Sequence, residues 1–472
     1  MDLGGLVLLR RREALSRSDF GGGSLDLASA IRKTQGFTMT DDLAERENVR
    51  KDSEERSSFY QGAAWLSIAT MAVRVSPLLL LWLVLQDGDP AGFGEYSLAN
   101  SIVGIATLVA ESGIILATTT HPGITEDDES AIAAQALTRG VVYYLLCLLA
   151  GASISLRPGF DSIVLYTAIL AIPVPLAGVA AVAIGRKQRA GQFRKIASAQ
   201  ISAAALGVVA GAIAYLFGLG MTALVAQTVI SMVLFYCLVM ATGGRLRIKR
   251  NSELVAQFRR TLGFALGGNL VSTLGRRADD IFIGLILGPF ALGQYSVGYR
   301  ILTTGTQTML HTGERVATSQ LGAAYAHSAN RAWGVVVRNQ RRIAFSAGPA
   351  FAAAAVGGYF LIPQALGPEW TTAATCSFYL CLAGTIQSTY NLTYMAVFRL
   401  LDPRSAFTYQ CVSVSLILLP TLAGTVAGVE GASIGYLAGS CAGALVAHMW
   451  SRRVRMAMGD RAGTPTITNV GD

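Results

Sequence analysis

Charge is scarce in this sequence. Only 14% of its 472 residues are Asp, Glu, Lys or Arg, where a soluble domain carries about 25%, so most of its surface does not face water. Histidine is scarcer still. His121, His311, His327 and His448 are scattered without metal-ligand spacing, and no metal centre is expected. The six cysteines, at 147, 237, 376, 381, 411 and 441, lie singly in apolar stretches; with no CxxC pair they read as small buried hydrophobes. A Walker-type phosphate loop is absent, which argues against ATP hydrolysis by this chain.

What is present instead is apolar length: 52% of residues are hydrophobic and the mean hydropathy is +0.47. A membrane helix needs about 20 mostly apolar residues. Twelve segments meet that need, near 60–85, 96–119, 135–156, 162–184, 197–217, 221–242, 262–287, 292–314, 342–362, 372–397, 406–426 and 431–450. The expected fold is an all-α membrane protein of twelve transmembrane helices. Pro and Gly punctuate the joins at Asp89-Pro90, Arg157-Pro158-Gly159, Gly288-Pro289 and Gly367-Pro368. Residues 1–58 differ in kind, with Gly21-Gly22-Gly23, Arg10-Arg11-Arg12 and a charged run from Asp41 to Arg56. Their apolar patch, Leu6 to Leu9, is too short for a signal-peptide core, and the segment reads as a disordered cytoplasmic tail.

Lys and Arg in short loops set orientation. With the N-terminus in the cytoplasm, internal loops hold Arg186, Lys187, Arg189, Arg194 and Lys195, then Arg245, Arg247, Lys249, Arg250, Arg259 and Arg260, then Arg331, Arg338, Arg341, Arg342, Arg399 and Arg404. The tail at 452–472 adds Arg452, Arg453, Arg455 and Arg461, whereas the external loops hold one basic residue, Arg157. Both termini are therefore expected in the cytoplasm. This placement accounts for the net charge of +9 without a nucleic-acid partner. The short external loops leave no solvated platform for a glycan polymerase or ligase.

An internal repeat divides the chain. Pro90, Gly94, Tyr96, Ser97 and Ile102 match Pro289, Gly293, Tyr295, Ser296 and Ile301 at a constant offset of 199. Each copy follows the first helix of a six-helix half. Six is even, so the halves share one orientation and are expected to be related by a pseudo-two-fold axis along the membrane normal, a transporter architecture. The expected divisions are an N-lobe at 59–242, a cytoplasmic linker at 243–260 and a C-lobe at 261–451. The ladder Gly431, Gly435, Gly439, Gly443 reads as small-residue helix packing.

Ionisable residues within spans carry the functional signal, since each costs about 2.5–3.5 kcal/mol facing lipid at the bilayer centre. Arg74 is mid-span in the first helix. Arg276, Arg277, Asp279 and Asp280 are mid-span in the seventh, and the face of Arg276 and Asp279 continues to Ser272 and Asn269. Similar stripes run Asn100, Gly104, Thr107, Glu111; Arg300, Thr304, Gln307, His311; and Gln387, Asn391, Tyr394. Polar residues three or four apart mark faces turned from lipid, here read as lining a cationic cavity. Structural ion pairing is the competing reading for Arg276 with Asp279, for Arg277 with Asp280 and for Glu111, while Arg300 can snorkel outward. Gly94, Tyr96, Gly293 and Tyr295 read as turn-shaping residues.

The stretch Arg276-Arg-Ala-Asp279, followed after four residues by Gly284 and then by Leu287-Gly288-Pro289 and Leu292-Gly293-Gln294-Tyr295, resembles the polysaccharide-biosynthesis transporters of the multidrug/oligosaccharidyl-lipid/polysaccharide exporter superfamily. Gln188 to Phe193 (QRAGQF) resembles another loop of that family. The likeness extends over roughly residues 58–455. It implies a flippase of the O-antigen (Wzx) type, moving a polyprenyl-pyrophosphate-linked oligosaccharide across the cytoplasmic membrane by alternating access, with no covalent chemistry and no cofactor. Arg74, Arg276, Arg300, Asn269, Gln307 and Asn391 are then the candidate contacts to pyrophosphate and glycan, because guanidinium groups bind phosphate bidentately. Asp279, Glu111 and Asp280 are the candidates for coupling to H⁺ or Na⁺. The expected partners are the lipid-linked substrate and the bilayer, with a glycan polymerase and glycosyltransferases as neighbours and the protein itself a monomer. A multidrug or small-molecule cation-coupled antiporter of the same superfamily, and a membrane enzyme of glycan assembly, are the alternatives.

Overall fold

The computed structural model describes residues 80–111, 113–120, 125–241, 277–325 and 328–463, with a few isolated positions besides. All belong to one compact unit, 62–472. The described residues are helical, with no strand among them. In chain order the helices are α1 (80–85), α2 (Pro90–Glu111), α3 (Ile114–Thr120), α4 (Glu126–Ser155), α5 (Ile163–Leu170), α6 (Val174–Arg189), α7 (Phe193–Leu216), α8 (Thr222–Ala241), α9 (277–287), α10 (Pro289–Gly305), α11 (His311–Tyr325), α12 (Ala329–Leu366), α13 (Thr371–Gln387), α14 (Thr393–Leu400), α15 (Pro403–Gly424) and α16 (Gly428–Gly463). Seven helical stretches among the described residues are long and apolar enough to cross a membrane, the last covering α15 and α16 together. The expected tail at 1–58 and linker at 243–260 lie outside the described residues.

The joins fall where Pro and Gly punctuate the sequence. Asp89 accepts a hydrogen bond from the amide of Gly92 (2.8 Å) and so caps α2, whose first residue is Pro90. Proline suits that position because the amide it lacks would be unpaired there. Gly288 turns at φ 88° before Pro289, and Gly367 at φ 109° before Pro368, conformations that side chains resist. Several helices run beyond the apolar segments: α4 begins at Glu126, α12 at Ala329, and α16 ends at Gly463. Apolar length measures the hydrocarbon core alone, whereas the backbone ladder continues into charged turns. Thr125 and Asp128 close a reciprocal cap at the start of α4, which fixes one such extension.

The exterior is apolar. Leu216, Phe217, Phe345 and Val426 are all at least 79% exposed, an arrangement tolerated where lipid is the solvent. Two helix contacts of the interior are built from small residues. Ala177, Ala180 and Ala181 of α6 are fully buried. A Cβ on Gly431, Gly435 or Gly439 would overlap the backbone oxygen of Gly424, Pro420 or Leu416, so the glycine ladder lets α15 and α16 lie backbone to backbone.

Helices before residue 242 pack chiefly on one another, as do those after 277; between the two groups the principal described contact is α2 against α10. These helices begin with the two copies of the repeat. A Cβ on Gly94 would overlap the carbonyl oxygen of Pro289, and a Cβ on Gly293 that of Pro90. The repeated glycines thus do more than shape turns: each admits the other copy's helix start. Arg157 adds a second tie between the groups, donating to the carbonyl of Leu285 at the end of α9 (2.7 Å).

Candidate functional site

A cluster of ionisable side chains lies where α9 and α10 meet α2. The Ser101 hydroxyl donates to Asp280 (2.7 Å) and accepts from Arg277 Nη1 (3.3 Å). Arg277 and Asp280 face each other at 4.0 Å, and the guanidinium of Arg277 packs over Gly104. Asp279 accepts from the Tyr295 hydroxyl (3.0 Å) and from the Asp280 amide (3.0 Å). Both carboxylates are buried, and Asp280 Oδ1 has no hydrogen-bond partner among the described residues. Arg300 stands 5.3 and 5.4 Å from the ring centres of Phe93 and Tyr96 on α2, a cation–π contact. Every one of these arginines therefore touches the opposite group of helices.

From this cluster a line of tyrosines leads inward. Tyr295 stacks on Tyr299 (5.6 Å), and Tyr299 meets Tyr436 edge to face (6.1 Å). Tyr299 and Tyr436 belong to the wall of a cavity of about 340 Å³ among α10 to α16. Tyr390, Tyr394 and Tyr409 also line it, as do the amides Gln307, Gln387, Asn391 and Gln410. Gln387 donates to Tyr436 Oη (3.3 Å) and Ser440 Oγ (3.1 Å).

Two helix irregularities border the cavity. Thr306–Leu310 forms a π-turn between α10 and α11, and residues 388–392 interrupt α13 and α14. Asn391 donates to the Leu310 carbonyl (3.2 Å), joining them. Gln340 spans the interruption, donating to Ser388 O (2.6 Å) and accepting from Leu392 N (2.8 Å). Just past the π-turn, His311 Nδ1 lies 3.0 Å from Glu314 Oε2. Turns of this kind recur at functional sites in membrane helices.

Of the residues singled out in the sequence, Gln307, His311, Gln387, Asn391 and Tyr394 line the cavity. Asp279, Asp280 and Arg300 gather instead at the crossing of α2 and α10. Glu111 lies apart, at the far end of α2, accepting from the Tyr236 hydroxyl (2.7 Å). Arg74, Asn269 and Arg276 lie outside the described residues. Sequence reasoning missed the convergence of tyrosines from four helices. It also missed buried Glu129, which receives Arg189 at 2.7 Å and Arg186 at 3.4 Å. The acidic run 126–129 facing the basic run 186–189 was the available signal. No group of His, Cys, Asp and Glu among the described residues is arranged to hold a metal ion.

A family described as polysaccharide biosynthesis protein matches residues 89–375. No curated protein matches the chain. Among solved structures, the lipid II flippase MurJ in an inward closed conformation is similar with a TM-score of 0.67 at 8% identity, over 83% of this chain and 90% of that one. An inward-facing multidrug resistance MATE family transporter of the MOP superfamily gives 0.61 at 16% identity, over 84% and 96%. A MOP superfamily transporter from Pyrococcus furiosus, described by a reverse polarity of its binding pocket, gives 0.51 at 16%, over 83% and 95%. At these identities the likeness is one of fold.

Proposed function

The chain belongs to the polysaccharide biosynthesis protein family, and from that premise we propose that it is a membrane transporter that flips a polyprenyl-pyrophosphate-linked oligosaccharide across the cytoplasmic membrane by alternating access. The observation that carries this reading is a cavity with a polar lining, together with buried charges at the meeting of two helix groups, inside an apolar exterior. Such an interior suits a hydrophilic head drawn past lipid while its tail stays in the bilayer. We assign the twelve segments to twelve spans in two six-helix lobes, both termini in the cytoplasm. The crossing of α2 and α10 then lies on the external side, and the conformation described is closed outward.

Arg74 and Arg276 are our candidates for the pyrophosphate, one from each lobe. Asp279 with Asp280, and Glu111 with Tyr236, are the carboxylates placed to exchange a counter-ion for H⁺ or Na⁺. Arg277 and Arg300 belong to the outer closure, where their partners on α2 must part when the protein opens outward.

The test is reconstitution. Purified protein in proteoliposomes is expected to move the host's lipid-linked oligosaccharide between leaflets, faster under an imposed H⁺ or Na⁺ gradient. Arg74→Ala and Arg276→Ala are each expected to lower that rate while the protein remains folded. No translocation by the native chain would overturn the reading; unaltered rates in both variants would overturn the pyrophosphate assignment.

A further inference from the structure

The cavity among α10 to α16 has a lining that a pyrophosphate would not choose. No Arg or Lys occurs among the described residues of its wall. Its titratable members, His311 and Glu314, face each other at 3.0 Å, so the imidazole is already engaged by a carboxylate. Amides, phenols and the hydroxyls of Thr303, Thr306 and Ser413 make up the rest of the polar wall. A carboxamide offers a donor and an acceptor side by side, matching the vicinal hydroxyls of a sugar ring. A tyrosine offers a flat apolar face for a sugar's C–H surface and a hydroxyl at its edge. Apolar walls with a few placed polar groups are the usual make-up of small-molecule pockets. The volume of about 340 Å³ is near the low end of the roughly 300–1,000 Å³ such pockets occupy, enough for a sugar residue or two.

We propose that this cavity is a separate saccharide subsite, taking a neutral sugar of the lipid-linked oligosaccharide and excluding the pyrophosphate. The proposal rests on the transport reading and divides its substrate between two places: phosphate with the arginines, sugar with Gln307, Gln387, Gln410 and the tyrosines. Gln410 and Tyr394 are half-buried on the wall, so part of each side chain is open to an incoming ring. The joined π-turn and interruption at Leu310 and Asn391 give the wall two places to change shape as the sugar enters.

The experiment uses the full chain in nanodiscs. It is titrated with the oligosaccharide freed by mild acid from the host's own lipid-linked precursor, and separately with inorganic pyrophosphate, both read by saturation-transfer NMR. Saturation is expected to reach the sugar protons and to persist with pyrophosphate in excess. Gln410→Ala is expected to weaken saccharide binding about fivefold, the loss of one hydrogen bond. Gln410→Trp, which fills the space, is expected to abolish it. If the alanine variant unfolds, Gln410→Asn draws the amide back by one methylene and serves in its place. No transfer to the native protein, displacement of the sugar by pyrophosphate, or native affinity in all Gln410 variants would each overturn the subsite. Translocation by the native protein in proteoliposomes separates the two failures. Flipping with unaltered sugar binding in the variants sinks the subsite alone; sugar binding without flipping sinks the transport reading alone.

Discussion

Ser101 and Asp280, 179 residues apart, share a 2.7 Å hydrogen bond across the seam between the two helix groups, the hydroxyl donating to a buried carboxylate. Hydrogen bonds to charged groups contribute about 1.5–3 kcal/mol, and a buried carboxylate deprived of one keeps its desolvation cost. Ser101→Ala is therefore expected to destabilise the protein in detergent by about that amount. A double-mutant cycle with Asp280→Asn should give a coupling of about 0.5–3 kcal/mol; additive losses in thermal unfolding would mean that the bond does not hold the seam.

Glu111 receives the Tyr236 hydroxyl at 2.7 Å and stands far from the Asp279–Asp280 pair along α2. If it carries a coupling ion, Glu111→Gln should leave equilibrium exchange of substrate intact while removing the acceleration by an imposed gradient. Coupling free energies of the usual size predict an effect of about 5–150-fold. Flux in proteoliposomes with and without the gradient reads it directly, and an unchanged ratio would leave the role to the aspartates.

Glu129 holds Arg189 and Arg186 at the start of α4, and Arg189 also donates to the carbonyl of Thr118 (3.1 Å). Glu129→Ala leaves two cations without their shared anion and is expected to cost about 1.5–3 kcal/mol. Amide exchange in the last turn of α3 and the first turn of α4 should quicken in parallel; equal protection in variant and native protein would contradict the clamp.

Asp402 caps α15, accepting from the Ser405 amide (2.8 Å) and hydroxyl (2.7 Å). These bonds hold its carboxyl below the usual aspartate range. A lowered value in the folded state means that the cap stabilises above the ordinary pKa, near about 3.9, and is lost as pH falls through the lowered one. Amide exchange at Ser405 and Ala406 should accelerate relative to the rest of α15 in that acidic window. Asp402→Asn keeps an acceptor and should flatten the pH dependence.

Gly334, within α12, has open space around its missing Cβ. Gly334→Ala is expected to stabilise by roughly 0.5–1 kcal/mol, since a helical glycine pays extra backbone entropy. Gly94→Ala and Gly293→Ala meet backbone oxygen instead and should cost about 1–3 kcal/mol. Thermal unfolding of the three variants checks the contrast in sign.

Much of the frame was readable before the structure because its signals are local. Prolines and glycines with special backbone requirements mark the joins at 90, 159, 288 and 367, and the ladder 431–443 announces close packing. The helix ends were less readable: the apolar windows stop near 135 and 342, although the hydrogen-bonded helices continue back to Glu126 and Ala329. The π-turn at Thr306–Leu310 has no residue signature. The candidate site was visible only in part. Stripes on single helices found Gln307, His311, Gln387, Asn391 and Tyr394, but Tyr299, Tyr390, Tyr409 and Tyr436 approach from separate parts of the chain, and no one-dimensional period can bring them together. Asp279 and Asp280 were recognised as buried charges, but that their neighbours lie on α2 is a property of tertiary packing.

The reciprocal seating of Gly94 against Pro289 and Gly293 against Pro90 has the logic of a two-fold homodimer, in which one surface position serves both sides of an isologous contact. In a chain carrying two copies of the segment, that economy becomes a constraint on divergence. Enlarging residue 94 demands room beside 289 in the other copy, and also crowds the amide of its own counterpart, 293. The two halves are thus free to drift apart along their lipid faces but remain tied, position by position, where each copy holds the other's first turn.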